Sequence, residues 1–172
     1  MQTIYTKRLI IRALTTKDLE AFYLFASNEE VGPMAGWDSH KNINETKLIL
    51  NQLIEEKEMW AITINDLLIG TINISFDKKR KYYELGFSLN YDYWNKGYMT
   101  EAILGVLNYV FNKTSIDKLI ARHFEYNYRS KKVLEKVQFN FKKYEIDLDI
   151  LGNEQLVSYY ELTKKEYKEV NI

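Results

Sequence analysis

The chain contains no cysteine, and this absence excludes disulfide frameworks, thiolate zinc sites and a cysteine nucleophile. A cysteine-free chain favours a reducing environment, so we expect a cytoplasmic protein. Basic and acidic side chains number 24 each. This balance gives no reason to expect nucleic acid or an anionic membrane as the main partner. No apolar run approaches the roughly 18 residues of a membrane-spanning helix, so we expect a soluble protein.

The chain is also poor in residues that interrupt regular structure, with one proline, Pro33, and seven glycines. No stretch rich in serine, glycine and proline separates one part of the sequence from another, and no internal repeat is visible. The composition, 46% hydrophobic and 28% charged, is typical of a globular protein. We therefore expect a single domain over residues 1–172.

Hydrophobic periodicity predicts strands and helices in the order βααβββαβαββ. The predicted strands span residues 4–14, 59–64, 67–76, 82–89, 118–124, 139–150 and 155–163, and the predicted helices span 15–27, 44–57, 97–111 and 129–137. On the second helix the pattern places Leu48, Leu53 and Ile54 on the apolar face and Leu50 only weakly on it. The predicted fold class is α/β or α+β, with about seven strands in the sheet and four helices.

Residues 93–102 follow a predicted strand and open a predicted helix. At such a junction, free backbone N–H groups and the helix dipole can hold a phosphate, so the segment is a candidate pyrophosphate cradle. Its glycine, Gly97, matches neither the P-loop spacing nor the dinucleotide-binding fingerprint. This mismatch argues against nucleoside triphosphates and dinucleotides as ligands. The alternative interpretation is an ordinary glycine cap at the start of a helix.

Five short motifs occur along the chain in a fixed order. They are residues 6–12 (TKRLIIR), 84–89 (ELGFSL), 93–102 (YWNKGYMTEA), 127–139 (NYRS, then VLEK and a phenylalanine) and 160–163 (YELT). Together they resemble the GNAT superfamily of acyl-CoA-dependent N-acetyltransferases, and specifically its RimJ/RimL-like branch. The resemblance extends from Thr6 to about Tyr167, nearly the whole chain.

This resemblance implies a mixed, mostly antiparallel sheet in which the fourth and fifth predicted strands run parallel and splay apart. The acyl-pantetheine arm of acetyl-CoA, the expected co-substrate, would lie in that gap. By the same likeness, the expected cofactor-binding residues are Phe87, Ser88, Leu89, Trp94, Asn95, Lys96, Gly97, Tyr98, Met99, Thr100, Asn127, Arg129 and Ser130. Met99 is larger than the family's usual residue, and Gln138 stands where the family usually has a glycine.

Glu84 is the expected catalytic base, because the resemblance places a carboxylate of this strand beside the acetyl position. It would take a proton from the attacking ammonium, directly or through water. A carboxylate does this best when partial burial raises its pKa. The alternative interpretation is a charge at the strand edge that is paired with Lys79, Arg80 or Lys81.

Ser130 is the expected general acid for the departing thiolate. The resemblance assigns it this position together with Asn127, which would contact the pantetheine arm. Many family members use a tyrosine seven positions after that asparagine, but this chain has Leu134 there. The alternative interpretation is structural, with Asn127 as a helix cap and Ser130 in the first turn.

Local charge separates two parts of the chain. Residues 122–143 hold seven basic side chains against two carboxylates, whereas residues 15–66 hold four lysines against ten carboxylates. The basic segment suits the phosphates of coenzyme A. The acidic segment would present a negative rim to a cationic amine, or it would consist of ordinary solvated helix faces. The carboxylates assigned to this rim are Glu29, Glu30, Asp38 and Glu45.

The loop with Trp37 and His40 is the predicted specificity element, since aromatic residues with polar tips in a loop are typical of recognition. We expect Trp37, His40 and Glu84 to contact the acceptor, although the loop residues could instead close the core. His123 is interpreted as a sheet histidine with its hydrogen bonds satisfied. With only two histidines and no adjacent carboxylate pair, no metal site is expected.

The leading hypothesis is direct transfer of an acetyl group from acetyl-CoA to a primary amine, at a protein N-terminus or on a small cationic compound. The alternative is a non-catalytic acyl-CoA-sensing or protein-binding module on the same fold, which Met99 and Gln138 favour. A third hypothesis is an RNA-associated protein, but the zero net charge argues against it. The sequence leaves the acceptor and the oligomeric state open, with a homodimer among the open arrangements.

Overall fold

The computed structural model describes residues 1–170, which form one mixed sheet of eight strands. The strands are β1 (Ile4–Tyr5), β2 (Ile10–Ala13), β3 (Met59–Ile64), β4 (Leu67–Asp77), β5 (Tyr82–Leu89), β6 (Lys118–Phe124), β7 (Asn140–Leu148) and β8 (Glu154–Thr163). Their order in the sheet is β1-β2-β3-β4-β5-β6-β8-β7. Neighbouring strands are antiparallel except for β5 and β6, which are parallel.

Six helices accompany the sheet within the same residues. They are α1 (Leu19–Ala26), α2 (Gly32–Ala35), α3 (Ile43–Glu56), α4 (Tyr98–Lys113), α5 (Tyr128–Lys136) and α6 (Lys164–Val170). The prediction of seven strands and four helices therefore differs from the structure by one strand and two helices. The two helices that it missed, α2 and α6, span four and seven residues. They are too short to show a helical hydrophobic period.

The additional strand arises because the first predicted strand is a hairpin. Residues 4–14 alternate in hydrophobicity, but Thr6 and Leu9 close a turn within them. The Thr6 N–H donates to the Leu9 carbonyl at 3.0 Å, and the Leu9 N–H donates to the Thr6 hydroxyl at 3.1 Å. Alternation alone does not reveal such a turn, because a threonine fits a strand equally well.

The helices cover both faces of the sheet with two apolar clusters. One cluster joins α4 and α5 to the sheet and includes Ile62 of β3, and the other joins α1 and α3 to the sheet and includes Ala61. Successive residues of a strand point to opposite faces, so the two clusters lie on opposite sides of the sheet. Because helices pack on both faces of the sheet, the position of the gap between β5 and β6 is fixed.

Helix α3 packs on the sheet in a different rotational position from the predicted one. Leu50 is 1% exposed and Leu48 is 73% exposed, so the assignment of Leu48 to the buried face is wrong. The side chains that turn inward are Thr46 and Leu50, with Leu53 and Ile54 packed beside them. Spacings of three and four residues keep these side chains on one face, and Leu48 falls outside that stripe.

Strands β5 and β6 separate almost as soon as they meet. Their one paired position joins Glu84 to Ile120. Beyond this pair the strands diverge toward their C-terminal ends, as expected for the fourth and fifth predicted strands. The divergence leaves a gap inside an otherwise continuous sheet.

Candidate functional site

The gap between β5 and β6 opens into a cleft of about 540 Å³. Its walls are β5 and the loop before α4 on one side, and β6 and the start of α5 on the other. The residues expected from the sequence that line this cleft are Glu84, Phe87, Ser88, Leu89, Trp94, Asn95, Gly97, Tyr98, Met99, Thr100, Asn127, Arg129 and Ser130. The fold thus brings together residues from three separate motifs.

The edge of β5 that faces the cleft carries backbone groups without a strand partner. The Asn90 N–H donates to the Ile69 carbonyl of β4 at 2.8 Å. Bonded positions alternate along an antiparallel ladder, so Phe87 and Leu89 direct their backbone groups away from β4. The Leu89 carbonyl accepts a 2.7 Å bond from the Trp94 indole. The N–H and C=O of Phe87 are thus placed to bond an extended ligand along β5.

The loop before α4 leaves the first N–H groups of this helix free. Asn95 and Gly97 have positive φ angles of 60° and 78°, a geometry that glycine adopts most readily. Gly97 is the N-cap and provides no side-chain cap, so the first N–H groups of α4 have no partner within the helix. With the helix dipole, these groups make a candidate anion site at the mouth of the cleft.

Contacts from the N-terminal turn hold this loop, and sequence reasoning missed them. Arg8 donates to the Lys96 carbonyl at 3.0 Å and to the Glu101 carboxylate at 2.6 Å. The Thr6 hydroxyl donates to the same carboxylate at 2.7 Å. Although burial acts in the opposite direction, the bonds from Thr6 and Arg8 hold the pKa of Glu101 below its usual range. The motifs at residues 6–12 and 93–102 are both visible in the sequence, but no feature of the local sequence indicates that they contact each other.

Basic side chains line the opposite wall of the cleft. The guanidinium of Arg129 lies 4.6 Å from the centre of the Trp94 ring, a cation–π contact that joins α5 to the loop before α4. Lys132 and Lys136 also line the cleft, because spacings of three and four residues place them on the same face of α5 as Arg129. These charges complement a phosphate-bearing ligand.

Asn127 and Ser130 lie at the start of α5. The Asn127 side chain caps this helix by accepting the Ser130 N–H at 3.1 Å, and it donates to the Met34 carbonyl at 2.7 Å. The structural role considered for Asn127 is therefore present, and the bond to Met34 also ties α5 to α2. The Ser130 hydroxyl lines the cleft and makes no hydrogen bond within residues 1–170. It is free to bond a ligand atom.

Glu84 lies at the point where the cleft narrows and forms an ion pair there. Its oxygens lie 3.0 Å from Nε and 3.4 Å from Nη2 of Arg122. The third nitrogen of Arg122 donates to Asp147 of β7 at 2.8 Å. The partner of Glu84 is therefore an arginine of the facing strand and not the lysines or the arginine of the β4–β5 turn. Sequence reasoning placed Arg122 only in a basic segment and assigned no role to Asp147.

Three residues of the expected site lie outside the cleft lining. The His40 imidazole is buried, bonds the Thr46 hydroxyl at 2.9 Å, and has a pKa that burial lowers. The Trp37 ring packs beside it, with ring centres 5.4 Å apart. The Lys96 ammonium donates to the Asp92 carbonyl at 2.7 Å. In this arrangement Trp37 and His40 close the core, the alternative considered for this loop.

The four carboxylates expected to form an acidic rim also lie outside the cleft lining. Among them, Glu45 accepts the Lys41 N–H at 2.6 Å near the start of α3. Of the acidic residues in the described part of the chain, Glu84 and Asp147 line the cleft. The negative charge at the cleft therefore comes from the sheet and not from the first helices.

The two departures from the family pattern have structural explanations. Met99 is 5% exposed, and its side chain packs in the core beneath α4. The volume of the Met99 side chain is therefore accommodated in the core. Gln138 adopts a positive φ of 66° just after α5, and its N–H donates to the Glu135 carbonyl at 3.1 Å. Gln138 thus takes the left-handed conformation that usually favours glycine at a helix end.

His123 lines the cleft from β6 and is only half satisfied. Its Nδ1 lies 2.8 Å from the Phe124 carbonyl. Its Nε2 is buried and has no hydrogen-bond partner within residues 1–170. Burial lowers the pKa of this imidazole, so His123 is held in the neutral form. The expectation that both ring nitrogens are bonded is therefore wrong for Nε2.

A protein with this cleft can bind an extended, phosphate-bearing ligand between two strand edges. Within residues 1–170, no group of three or more histidine, cysteine or acidic side chains could hold a metal ion. In the same part of the chain, no helix has both the length and the apolar composition needed to cross a membrane. The lining of the cleft thus offers backbone amides, cations, the hydroxyls of serine, threonine and tyrosine residues, and the carboxylates of Glu84 and Asp147.

Comparison with known proteins defines this class further. A family model for the acetyltransferase (GNAT) domain matches residues 8–140. An uncharacterized N-acetyltransferase of Bacillus subtilis (strain 168), YoaA, is 30% identical over 142 residues, which cover 78% of this chain and 80% of that protein. The chain therefore belongs to the GNAT acetyltransferase family.

Solved structures agree with this assignment. The crystal structure of a GNAT-family acetyltransferase from Bacillus anthracis superimposes with a TM-score of 0.86 at 25% identity, covering 96% of this chain and all (100%) of that one. RimL, a ribosomal L7/L12 α-N-protein acetyltransferase in complex with coenzyme A, has a TM-score of 0.80 at 15% identity and covers 96% and 99%. At that identity the likeness to RimL concerns the fold.

Proposed function

We propose that this protein is an acetyl-CoA-dependent N-acetyltransferase of the RimJ/RimL-like branch. The acceptor is a primary amine, at a protein N-terminus or on a small cationic compound. The observation that carries the proposal is the cleft itself, in which an anion site at the start of α4 and the residues Glu84 and Ser130 line one continuous space. Acetyl transfer from a thioester that carries phosphates requires a site for the phosphates, a base for the amine and an acid for the sulfur, and these groups would supply them.

The residues of the cleft fit acetyl-CoA along its length. Pyrophosphate would bind the free N–H groups of α4, with Arg129, Lys132 and Lys136 on the opposite wall. The amides of the pantetheine arm would pair with the backbone of Phe87, as an added strand does. The thioester supplies the activated acetyl group. Every other part of the reaction is performed by residues of this chain.

The reaction needs a base for the amine and an acid for the sulfur. Glu84 would accept one proton from the acceptor's ammonium, so that the nitrogen lone pair can attack the thioester carbonyl. The new C–N bond forms and the C–S bond breaks. The second proton that the nitrogen releases would pass through the Ser130 hydroxyl to the departing sulfur. The products are an acetylated amine and coenzyme A, and the proton on Glu84 returns to water.

Calorimetric titration followed by a turnover assay tests this proposal. We expect acetyl-CoA to bind at micromolar concentration, and coenzyme A without its 3′-phosphate to bind more weakly than coenzyme A because it loses contact with the basic wall. Thiol release would then be measured with N-terminal peptides and with small polyamines. Binding without turnover of any amine would favour the non-catalytic module. Absence of binding would contradict the proposal as a whole.

A further inference from the structure

Two carboxylates share one guanidinium where the cleft narrows. Arg122 bonds Glu84 through two nitrogens and Asp147 through the third. Only 17% of the Arg122 side chain is exposed. A planar guanidinium that bonds a carboxylate twice fixes both its position and its plane. The Glu84 carboxylate is therefore held in one orientation, whereas a free glutamate samples several.

Asp147 holds Arg122 from the other side. Its Oδ2 also accepts a 3.3 Å bond from Arg80, and its Oδ1 accepts the Leu148 N–H at 3.0 Å. The hydrogen bond from Arg122 holds the pKa of Asp147 below its usual range. Asp147 therefore stays charged, and a continuous chain of ion pairs leads from β7 through Arg122 to Glu84.

Two tyrosines also lie near Arg122. Tyr159 lies opposite Arg122 in the register of β6 and β8, and its ring centre is 5.9 Å from that of Tyr82. Burial raises the pKa of both phenols, that of Tyr159 to about 12, so both are neutral near pH 7. Arg122 is the cation that contacts Glu84, whereas Asp147 bonds the other side of Arg122 and Arg80 bonds Asp147. Asp77 lies near Tyr82, and Glu145 and Glu161 lie near Tyr159.

We propose that Arg122 is a positioning residue for the transfer reaction, in which it orients Glu84 toward the acceptor's ammonium while Asp147 fixes Arg122. The inference rests on the proposed function, because that function makes Glu84 the base. The proton moves from the amine nitrogen to a Glu84 oxygen. Arg122 neither gains nor loses a proton.

The first test is a comparison of Arg122→Gln with Arg80→Gln. Arg122→Gln should lower kcat about 10-fold to 100-fold, because misorientation of a reacting group by about 1 Å has effects of that size. It should leave the Michaelis constant for the acceptor nearly unchanged, because Arg122 orients the base and does not bind the acceptor. Arg80→Gln removes a charge beside Asp147 without touching Glu84, so it should leave both quantities nearly unchanged. Binding of acetyl-CoA should be the same in both variants.

Arg122→Lys separates charge from geometry and covers the case in which the glutamine variant does not fold. A lysine keeps the positive charge but cannot bond a carboxylate through a planar fork. We expect it to lose part of kcat, less than Arg122→Gln loses, with the Michaelis constant for the acceptor nearly unchanged. Equal kcat in wild type, Arg122→Gln and Arg122→Lys would overturn the inference. So would equal effects of Arg122→Gln and Arg80→Gln.

A spectroscopic test needs no acceptor. The chain has five arginines, so their Nε–H signals can be assigned by substitution in ¹⁵N spectra of the full chain. Glu84→Gln should shift the Arg122 signal and speed its exchange with water, and Asp147→Asn should do so to a smaller extent. If the chemical shift and the water exchange of the Arg122 Nε–H are the same in wild type and in Glu84→Gln, the inference is overturned. If Glu84→Gln produces the expected shift while the wild-type protein binds acetyl-CoA and acetylates no amine, the proposed function is contradicted and the contact between Arg122 and Glu84 is structural only.

Discussion

Arg8 and Glu101 join the turn between β1 and β2 to the first turn of α4, although 93 positions separate them. The Glu101 carboxylate accepts bonds from the Arg8 side chain, the Arg8 N–H and the Thr6 hydroxyl. Because Arg8 also bonds the Lys96 carbonyl, the same contacts fix the loop that leaves the N–H groups of α4 free. A residue near the N-terminus thus shapes the anion site.

Arg8→Ala should therefore weaken binding of acetyl-CoA about tenfold, since charge-assisted hydrogen bonds contribute about 1.5 kcal/mol or more. The Michaelis constant for the acceptor should change little, because Arg8 is not among the residues that line the cleft. Calorimetry would measure the dissociation constant. Lys7→Ala is the matched control, as it removes the neighbouring exposed charge. Equal effects of the two substitutions would argue for a general charge effect.

Ser130→Ala should lower kcat about 100-fold, which is within the range of a general acid, and should change the affinity for acetyl-CoA less than twofold. The Ser130 hydroxyl has no protein partner within residues 1–170, so its removal disrupts no internal contact. Thiol release under saturating substrates is the measurement. Ser130→Thr keeps a hydroxyl and should retain part of the rate. Parallel losses in kcat and affinity would identify Ser130 as a binding residue only.

Asn127→Ala should lower the free energy of unfolding by about 2 kcal/mol. About 1 kcal/mol comes from the lost helix cap and about 1 kcal/mol from the lost bond to the Met34 carbonyl. Asn127→Ser keeps an acceptor for the Ser130 N–H, since serine is a favoured helix cap, but it is too short to reach the Met34 carbonyl, so it should cost less than alanine. Urea denaturation of the three proteins would measure the difference. Equal destabilisation by both substitutions would show that the Met34 contact carries the whole effect.

Gln138→Gly should raise the free energy of unfolding by about 0.5 to 1 kcal/mol. A side chain in the left-handed region costs roughly 1 to 2 kcal/mol, and the greater freedom of glycine in the unfolded chain offsets part of that gain. Glu135→Gly, inside α5, is the control and should destabilise by about 1 kcal/mol. Thermal and urea denaturation would measure both. A loss of stability in Gln138→Gly would mean that the glutamine side chain makes a stabilising contact.

Stability should decrease as the pH falls from about 8 to about 5.5. Burial lowers the pKa of His40 and His123 in the folded protein, so the unfolded chain binds protons first as the pH falls through about 6.5. The histidine contribution is therefore most favourable at higher pH and decreases on acidification. Urea denaturation at several pH values would measure the slope. His123→Phe should make the slope shallower, and an unchanged slope would exclude His123 as a contributor.

Local pattern predicted the central strands well and the contacts between distant segments poorly. Strands β3, β5 and β6 have the predicted bounds, because each is a short run rich in apolar or aromatic residues that is followed by a polar or charged residue. The pairings of Arg8 with Glu101 and of Arg122 with Glu84 depend on the register of separate segments, which periodicity does not contain. Leu48 and Leu50 differ in burial because the rotation of α3 is set by its contacts with α1 and the sheet.

The single paired position between β5 and β6 also affects the stability of the folded protein and its tendency to associate wrongly. Two unpaired edges inside one sheet resemble the edges through which chains associate wrongly. A ligand that bridges them completes the sheet and stabilises the folded state in proportion to its concentration, by RT ln(1 + [L]/Kd). Acetyl-CoA would then act as a folding partner as well as a reactant, and the metabolic supply of the thioester would influence how much intact protein a cell retains.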